Sequence, residues 1–546
     1  MKILELLNQE SDAPKTQILL ISAVSGFANG FLLIIINSAG ELILNNRVEM
    51  QSFVLLFFQF VSIFLLFIYT SRYAFYQASQ MAEEVLLKVR LRIINKIRQS
   101  ELHFIEKTEY ATLYTPLTQG SNLLSEVAIE IVRAGESLVV LIFSGFYLAW
   151  LSPISFLITL SFISVAIMMY LHHEHFISEG LDRAFDKETQ LFGLLSHILK
   201  GFKELKINQK KNDDVFNDVE QLAKENKTLR VDSMMKLATE MMYNQVVLYL
   251  LLAILIFIIP LLSSSHNEVI FKVITTILFI IGAAEALMMA LPEITKANVV
   301  VEKIYKLEAQ LDQMNASQPN LRSKTPIDTF QEIRLTNSTF RYTDESDKAL
   351  FSVGPLDMTL NQGEMLFIVG GNGSGKSTLL KLLTGLYYPA TGFLSVDDDE
   401  IDQSHYHNYR ELFSIIFTDF HLFDKLYGLH QIDEQLLKSL LHSMQLDKKT
   451  HYLDGQFTNL NLSTGQKKRL AFITAILEDK PIYVFDELAA DQDPAFRQYF
   501  YEVVLQELKQ QGKTIIAVTH DDKYFHVADR VLKMEYGQIV NFREGM

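Results

Sequence analysis

Residues 370–377 form a glycine-rich stretch whose types and spacing suit phosphate binding. They read Gly-Gly-Asn-Gly-Ser-Gly-Lys-Ser and fit the pattern G-x-x-x-x-G-K-[ST]. The glycines let backbone N–H groups turn toward phosphate oxygens, Lys376 is placed to reach the β- and γ-phosphates, and the Ser377 hydroxyl is placed to ligate Mg²⁺. The apolar run 364–369 predicts a strand before the loop, and the leucine-rich run 378–386 predicts a helix after it. The sequence therefore predicts a site for a nucleoside triphosphate. The loop residues expected to bind it are Gly370, Asn372, Gly373, Ser374, Gly375, Lys376, Ser377 and Thr378.

Two further apolar runs end in residues that can act on a phosphate group. Residues 482–485 predict a buried strand, which Asp486 and Glu487 follow directly. We expect Asp486 to hold Mg²⁺ and Glu487 to act as the general base that polarises the attacking water. Residues 514–518 predict a second strand that leads to His520. This histidine contacts the γ-phosphate, or orients Glu487, or is structural.

Composition excludes several other classes of protein. The net charge of −15 argues against a general nucleic-acid binder, which usually carries a basic face. Because the chain has no cysteine, it has no disulfide, thiolate metal site or cysteine nucleophile. The polar residues 1–15 precede an apolar stretch without a small-residue cleavage site, which predicts a retained membrane span and no removable signal peptide.

The first part of the chain contains apolar runs of the length that crosses a bilayer, about 20 residues. Six runs qualify: 17–37, 53–75, 132–151, 154–171, 241–262 and 269–291. The two long connections, after the second and fourth runs, carry many Lys and Arg residues, which predicts that they and both termini face the cytoplasm. Within these connections, residues 81–99 and 185–207 have helical spacing. They are either extensions of the membrane helices or two independent helical hairpins.

The two halves of the sequence therefore predict two domains. Residues 1–310 are predicted to be an all-α transmembrane domain of six helices, and residues 311–328 a polar linker. In residues 329–546, short apolar runs alternate with helical segments, which is typical of an α/β domain with a largely parallel sheet around the phosphate-binding loop.

Residues 462–466 read Leu-Ser-Thr-Gly-Gln and are followed by Arg469. This stretch resembles the signature sequence of ATP-binding cassette (ABC) proteins, although Thr464 stands where the family usually has Gly. The order of the loop, the signature and the Asp-Glu strand also matches a cassette, and with six spans the whole chain resembles an ABC exporter half-transporter. The resemblance implies that the signature closes over ATP held by a partner subunit. The residues that it assigns to this contact are Ser463, Gly465 and Gln466.

The resemblance assigns three further residues. Tyr342 lies where the family keeps an aromatic ring that stacks on adenine, although it can also be read as a packed strand tyrosine. Asp493 matches an aspartate at the dimer contact. Thr418 occupies the position of a glutamine that touches Mg²⁺, and its hydroxyl is a shorter metal ligand; Asp419 could substitute for it, or hydrolysis could be slow. Residues 418–423 read Thr-Asp-Phe-His-Leu-Phe, which together with the signature resembles the bacterial exporters of cyclic peptides and siderophore precursors.

This resemblance implies an ATP hydrolase coupled to transport, working as a homodimer through both domains in the lipid of the bacterial inner membrane. The expected cargo is a peptide or siderophore-like molecule. Two alternatives stay open: a multidrug or lipid translocator, and a membrane-bound ATPase that acts as a switch without cargo. Polar residues inside spans are costly and are candidates for cargo contact, or for membrane-edge and helix-pairing roles. They are Glu136, Asn244 and Glu285.

Overall fold

The computed structural model describes two units. It covers residues 2–12, 15–45, 50–258, 267–315, 327, 329–343, 348–402 and 404–540, without the side chains of 119–122, 170–178, 240, 255, 267–268, 314–315 and 349. The first unit comprises Met1–Ser100 and Phe104–Met314, and the second comprises Glu101–His103 and Asn315–Met546. Each unit has its own hydrophobic clusters.

The described part of the first unit is helical, because its long apolar runs satisfy their backbone hydrogen bonds internally only as helices. The described helices up to Asn315 are α1 (Lys2–Glu10), α2 (Lys15–Leu44), α3 (Met50–Gln99), α4 (Leu102–Lys107), α5 (Tyr110–Leu151), α6 (Pro153–Lys200), α7 (Phe202–Ile207), α8 (Gln209–Ala253, continued by a π-helical turn, Ile254–Ile258) and α9 (Asn267–Asn315).

Among the described residues, four helices are long and apolar enough to cross a membrane. They are Lys15–Leu44, Met50–Gln99, Gln209–Ile258 and Val269–Gln313, and Pro153–Met169 is a shorter apolar segment. The remaining predicted span, 132–151, lies within α5. The count of six spans therefore stays a prediction.

The long helices α3 and α6 continue beyond their apolar segments. Helix α3 runs without a break to Gln99, so residues 81–99 extend a predicted membrane helix and do not form a separate hairpin. The predicted helical segment 185–207 is interrupted once. Helix α6 ends at Lys200, Gly201 caps it through a backbone N–H bond to the carbonyl of His197, and α7 begins at Phe202.

Helix α1 packs against other helices of the first unit through both apolar and ionic contacts. Its buried residues Ile3 and Leu6 join a cluster with residues of α3, α5 and α9. Arg92 of α3 donates to Glu308 of α9 at 2.6 Å and also pairs with Glu10 of α1. One guanidinium therefore joins three helices, and Glu308 is nearly buried where it does so.

The described part of the second unit contains two larger sheets and a short hairpin. The strands are β1 (Glu332–Thr343), β2 (Ala349–Asn361), β3 (Met365–Gly370), β4 (Thr391–Val396), β5 (Asp399–Glu400), β6 (Phe413–Ile416), β7 (Tyr452–Leu453), β8 (Gln456–Phe457), β9 (Ile482–Asp486), β10 (Thr514–Val518), β11 (Arg530–Glu535) and β12 (Gln538–Val540). The helices are α10 (Lys376–Leu383), α11 (Tyr406–Arg410), α12 (Glu434–Ser443), α13 (Thr464–Glu478), α14 (Pro494–Tyr499) and α15 (Leu505–Gln510).

The larger sheet has the strand order β12-β11-β3-β10-β9-β6, and its strands are parallel except for β12. Its central strands are buried on both faces, as expected for a parallel sheet covered on both sides. One hydrophobic cluster lies between it and the second sheet, and another packs its opposite face against α12 and α13. This agrees with the predicted α/β domain.

The second sheet, β2-β1-β4-β5, is antiparallel and was not predicted. Its long strand β1 changes register after Leu335, where Asn337 has a φ of 46°. Such an irregularity interrupts the alternation by which a half-buried strand is recognised in a sequence. The predicted linker, 311–328, begins inside α9, which ends at Asn315. Because 316–326 and 328 lie outside the described residues, its bounds stay a prediction.

We expect Arg92→Met to destabilise the first unit, because Glu308 would remain nearly buried without its cation. Hydrogen bonds to charged groups contribute about 2 kcal/mol, which corresponds to a fall in Tm of roughly 3 °C for a unit of about 300 residues. Thermal unfolding in detergent measures the effect. Arg98→Met is the matched control, because Arg98 on the same helix is exposed and bonds to nearby Asn95. An equal Tm for the two variants would contradict the proposed role of the ion pair.

Candidate functional site

The candidate site lies at one edge of the parallel sheet, where three neighbouring strands end. In the register of β3, β10 and β9, Val518 pairs with both Ile368 and Asp486. The segments that follow Gly370 and Val518 therefore leave the sheet at the same edge as Asp486. Ligands of open parallel sheets usually bind at this carboxyl edge.

The phosphate-binding loop follows β3 and begins helix α10. Gly370 has a φ of 149°, and a Cβ atom there would lie 2.3 Å from the carbonyl oxygen of Met534. Gly375, with a φ of 102°, is the N-cap residue of α10. Both positions require glycine, one because of close packing and the other because of its left-handed backbone. The loop thus leads into a helix N-terminus, where unpaired N–H groups favour an anion.

Two buried polar side chains of the loop fit a phosphate ligand. Lys376 is nearly buried, and its Nζ donates to the carbonyl oxygens of Gly370 and Gly371 at 2.9 and 3.1 Å. The Ser374 hydroxyl is also buried, and it has no hydrogen-bond partner among the described residues. A buried hydroxyl without a partner is uncommon in proteins. A phosphate oxygen would give Ser374 an acceptor, so the loop suits the predicted ligand.

Hydroxyl groups from two other segments of the chain lie near the carboxylate of Asp486. The hydroxyls of Ser377 and Thr418 lie 3.5 and 3.4 Å from its Oδ2 atom. Burial raises the pKa of the Asp486 carboxyl, the charge of Glu487 raises it further, and hydrogen bonds from Thr418 lower it. Hydroxyl and carboxylate oxygens are the ligands that Mg²⁺ prefers, and a divalent cation would offset both the burial and the repulsion. The residues predicted to hold the metal therefore meet at one carboxylate.

Glu487 is held beside His520. The Oε1 atom of Glu487 lies 3.1 Å from Nε2 of His520, and both side chains are partly open to solvent. Glu487 has a left-handed backbone, with a φ of 53°, and its N–H donates to the carbonyl of Val518 at 3.1 Å. This arrangement suits a base that must reach a water molecule while a neighbour fixes its orientation.

Tyr342, predicted to stack on adenine, lies near the start of α10. Its hydroxyl is 3.1 Å from the hydroxyl of Thr378, which is itself buried. Its ring packs edge-to-face against Phe340, with centroids 5.1 Å apart, and lies 6.5 Å from Phe351. The contacts place the ring beside the loop, as both readings of this tyrosine require. Adenine stacking stays a prediction.

The signature residues form the N-terminus of α13. Ser463 caps the helix by accepting from the N–H of Gln466 at 3.3 Å, while the Gln466 side chain accepts from the N–H of Ser463 at 3.1 Å. A Cβ atom on Gly465 would lie 2.8 Å from the carbonyl oxygen of Asp491, so this position requires glycine. The capping box leaves an ordered helix N-terminus facing outward, as expected for a contact with an anion.

Asp493 caps α14 and is paired within its own chain. Its Oδ1 accepts from the N–H of Phe496 at 2.9 Å, and Arg469 donates to Oδ2, also at 2.9 Å. The hydrogen bond from Phe496 lowers the pKa of Asp493, and Arg469 lowers it as well. The predicted dimer contact of Asp493 remains a proposal.

Two buried residues beside the site, Lys468 and Gln492, were not predicted from the sequence. Lys468 is 4% exposed and bonds to the backbone of Glu487, and buried Gln492 donates to the carbonyl of Gly465 at 3.0 Å. One signal was available for Lys468: it precedes the buried Ala471 and Phe472 by three and four residues, on the face of α13 that packs inward. Gln492 offered no comparable pattern.

The three polar candidates in the predicted spans differ in environment. Glu136 of α5 is 8% exposed, and its Oε2 accepts from the Ser71 hydroxyl of α3 at 3.3 Å. Its Oε1 and the Oδ1 of Asn244 are buried without a hydrogen-bond partner among the described residues. Glu285 of α9 is half-buried. Glu136 is therefore buried between helices, and its role in cargo contact or at the membrane edge stays a prediction.

Comparisons with known proteins agree with this geometry. Residues 353–490 match the ABC transporter family. The chain is 32% identical over 475 residues to the ATP-binding protein SyrD of Pseudomonas syringae pv. syringae, with 84% of this chain and 82% of that protein covered. It is 23% identical over 498 residues to the ATP-dependent lipid A-core flippase of Salmonella typhimurium, covering 86% of this chain and 82% of the relative. The solved structure of a bacterial Atm1-family ABC exporter with ATP bound has the same fold, with a TM-score of 0.81, 15% identity, and coverage of 96% and 94%.

We expect Thr418→Val to raise the Mg²⁺ concentration needed for ATP hydrolysis by about tenfold, because it removes a hydroxyl beside Asp486. Thr418→Gln should preserve or raise activity, since a glutamine amide can take the same place. Phosphate release during a Mg²⁺ titration measures both variants. Asp419→Asn tests the alternative ligand: if that variant alone raises the Mg²⁺ requirement, Thr418 is not the ligand.

Proposed function

This chain belongs to the family of ABC transporters, and from that premise we propose that it hydrolyses ATP to export a peptide or siderophore-like molecule from the cytoplasm. One observation supports the proposal: the phosphate-binding loop, Glu487 and Thr418 meet at Asp486. The same chain also contains long apolar helices. Those helices supply a route through a bilayer, and the second unit supplies the energy. The proposed location is the bacterial inner membrane, with both termini in the cytoplasm.

The chemical step rests on residues at the edge of the sheet. Lys376 and the N–H groups of the loop would bind the phosphates. Ser377, Asp486 and Thr418 would hold Mg²⁺, whose charge would offset that of the phosphates. The carboxylate of Glu487 accepts a proton from the attacking water, and His520 keeps that carboxylate in position. The contact of 3.1 Å between these two side chains supports this division of roles.

The proposed unit is a homodimer that contacts itself through both domains. The signature helix begins at the exposed residues Ser463 and Thr464, and the positive end of its dipole supports an anion contact separate from the loop at residues 370–377. In this proposal Ser463, Gly465 and Gln466 close over ATP that the partner subunit holds. Binding of two ATP molecules draws the subunits together, and hydrolysis releases them. The spans then alternate between openings on the two sides of the membrane.

The proposed cargo rests on sequence motifs and on buried polar groups. The Thr-Asp-Phe-His-Leu-Phe stretch at 418–423 and the Leu-Ser-Thr-Gly-Gln signature support an exporter of cyclic peptides or siderophore precursors. The relation to SyrD at 32% identity is compatible with this class. Glu136 and Asn244 each offer a buried oxygen without a partner among the described residues, which suits a cargo with hydrogen-bond donors.

A second candidate function is lipid translocation. Relatives at 22–23% identity are named ATP-dependent lipid A-core flippases, and they span most of this chain. A lipid headgroup could also bind polar residues inside the spans. The third reading, an ATPase switch without cargo, is supported less well, because Glu487 and His520 are placed for turnover.

Export is tested by mass spectrometry of cells and medium, with the wild-type chain and with Glu487→Gln. We expect a peptide or siderophore precursor to accumulate inside cells that carry the variant and to disappear from their medium. Glu478→Gln, at the end of helix α13, is the control for the effect of a Glu-to-Gln change in the same domain. A change confined to membrane lipids would favour the translocator, and no change under several growth conditions would contradict export.

We expect Glu136→Gln to raise by about tenfold the cargo concentration that stimulates ATP hydrolysis. The loss of one charged hydrogen-bonding group is worth about 1.5 kcal/mol, and basal hydrolysis should not change. ATPase activity in lipid nanodiscs, titrated with the exported molecule, measures the shift. Glu126→Gln is the control, because Glu126 is an exposed residue of the same helix. Equal titration curves would remove Glu136 from the cargo site.

A further inference from the structure

A buried lysine joins the signature helix to the backbone of Glu487. The Nζ atom of Lys468 donates to the carbonyl oxygen of Glu487 at 2.8 Å and pairs with Oδ2 of Asp491, also at 2.8 Å. Lysine is rarely buried unless it is paired, and these two oxygens are its partners. The preceding residue, Lys467, is exposed, so the two adjacent lysines have different roles.

The contact with Lys468 fixes a backbone that would otherwise be unfavourable. A left-handed conformation costs a residue with a side chain roughly 1–2 kcal/mol, and Glu487 adopts it with a φ of 53°. Its carbonyl accepts from Lys468 and from the N–H of Ala490, the latter at 3.2 Å. Because the carbonyl and the side chain leave the same residue, holding the carbonyl limits the directions in which the carboxylate can point.

A second set of contacts joins the same two segments. Arg469, next to Lys468, donates to Oε1 of Gln492 at 2.8 Å and to Asp493 at 2.9 Å. Gln492 in turn donates to the carbonyl of Gly465 at 3.0 Å. The first turns of α13 and the segment 487–493 are therefore linked at several points, and a displacement of one moves the other.

We propose that Lys468 is a positioning residue that couples the signature motif to Glu487. It holds the carboxylate of Glu487 in the direction needed to act on water at the ATP bound by its own chain. When the signature motif of that chain closes over the ATP of the partner subunit, the motif is displaced. Lys468 transmits this displacement to Glu487. The coupling between two ATP molecules rests on the proposed dimer, whereas the positioning of Glu487 does not.

The proposal predicts a defined change when the ammonium group is removed. In Lys468→Met the side chain keeps similar bulk, but Glu487 loses one of the two donors to its carbonyl. Neither contact of Lys468 described above involves the phosphate-binding loop, so ATP affinity should be kept. A small misplacement of a catalytic group can cost about 100-fold in rate. We expect kcat to fall by about 10- to 100-fold with KM for ATP within about twofold.

Lys467→Met is the matched control, because it removes an adjacent lysine that is exposed. ATP hydrolysis by both variants is measured in lipid nanodiscs as kcat, KM and the Hill coefficient for ATP. Lys468→Arg, which keeps a cation and several donors, should restore part of kcat. We expect the Hill coefficient to approach 1 in Lys468→Met only, since that variant uncouples the two sites.

Hydrogen–deuterium exchange of residues 485–493 supplies a readout that does not need turnover. We expect residues 485–493 to exchange faster in Lys468→Met than in Lys467→Met. The two variants should have equal Tm values. Equal exchange and equal kcat in the two variants would overturn the proposal, as would a rise in KM with kcat unchanged. A wild-type Hill coefficient of 1 would overturn the coupling alone. If the wild-type chain does not hydrolyse ATP, the proposed function fails, and the exchange experiment still decides whether Lys468 positions Glu487.

Discussion

The parallel pairing of β3, β10 and β9 is the constraint on which the candidate site depends. Val518 pairs with Ile368 on one side and Asp486 on the other, so the chain emerges from the three strands at neighbouring points. Strand β3 leads into the loop that contains Lys376, β9 ends at Asp486 beside Glu487, and β10 leads to the turn that contains His520. A slip of one residue would turn each side chain of a strand to the opposite face and separate these groups.

This arrangement concentrates charge where the sheet is buried. Asp486 is 3% exposed, and burial together with Glu487 raises its pKa. A site of this kind favours a divalent cation, because the cation removes the cost of a buried carboxylate beside another acid. The hydroxyl of Thr418 already lies 3.4 Å from Asp486, so the chain brings this shorter side chain close enough to share a metal ion. The departure from the usual glutamine is therefore compatible with an intact site.

The parts of the fold that were predicted from sequence are those set by short local patterns. The G-x-x-x-x-G-K-[ST] loop, the Asp-Glu strand end and the apolar runs each indicate one element, and the parallel sheet follows from their order. The antiparallel sheet was missed because the bulge near Asn337 interrupts the alternation of β1. Lys468 was missed because a lysine is usually exposed, and only the fold provides the oxygens that make its burial favourable. Gln492 reaches Gly465 across 27 residues, a contact that no local pattern predicts.

The central proposal is that Glu487 is the general base for ATP hydrolysis and is not needed to bind the nucleotide. Its most direct test is to follow phosphate release and retained radiolabelled ATP in parallel, using the purified full chain in lipid nanodiscs with Mg²⁺. The account predicts that Glu487→Gln keeps Mg²⁺-dependent ATP binding and reduces phosphate release to the level without protein. Phosphate release by this variant at the wild-type rate would contradict the account, because another group would then have to activate the water.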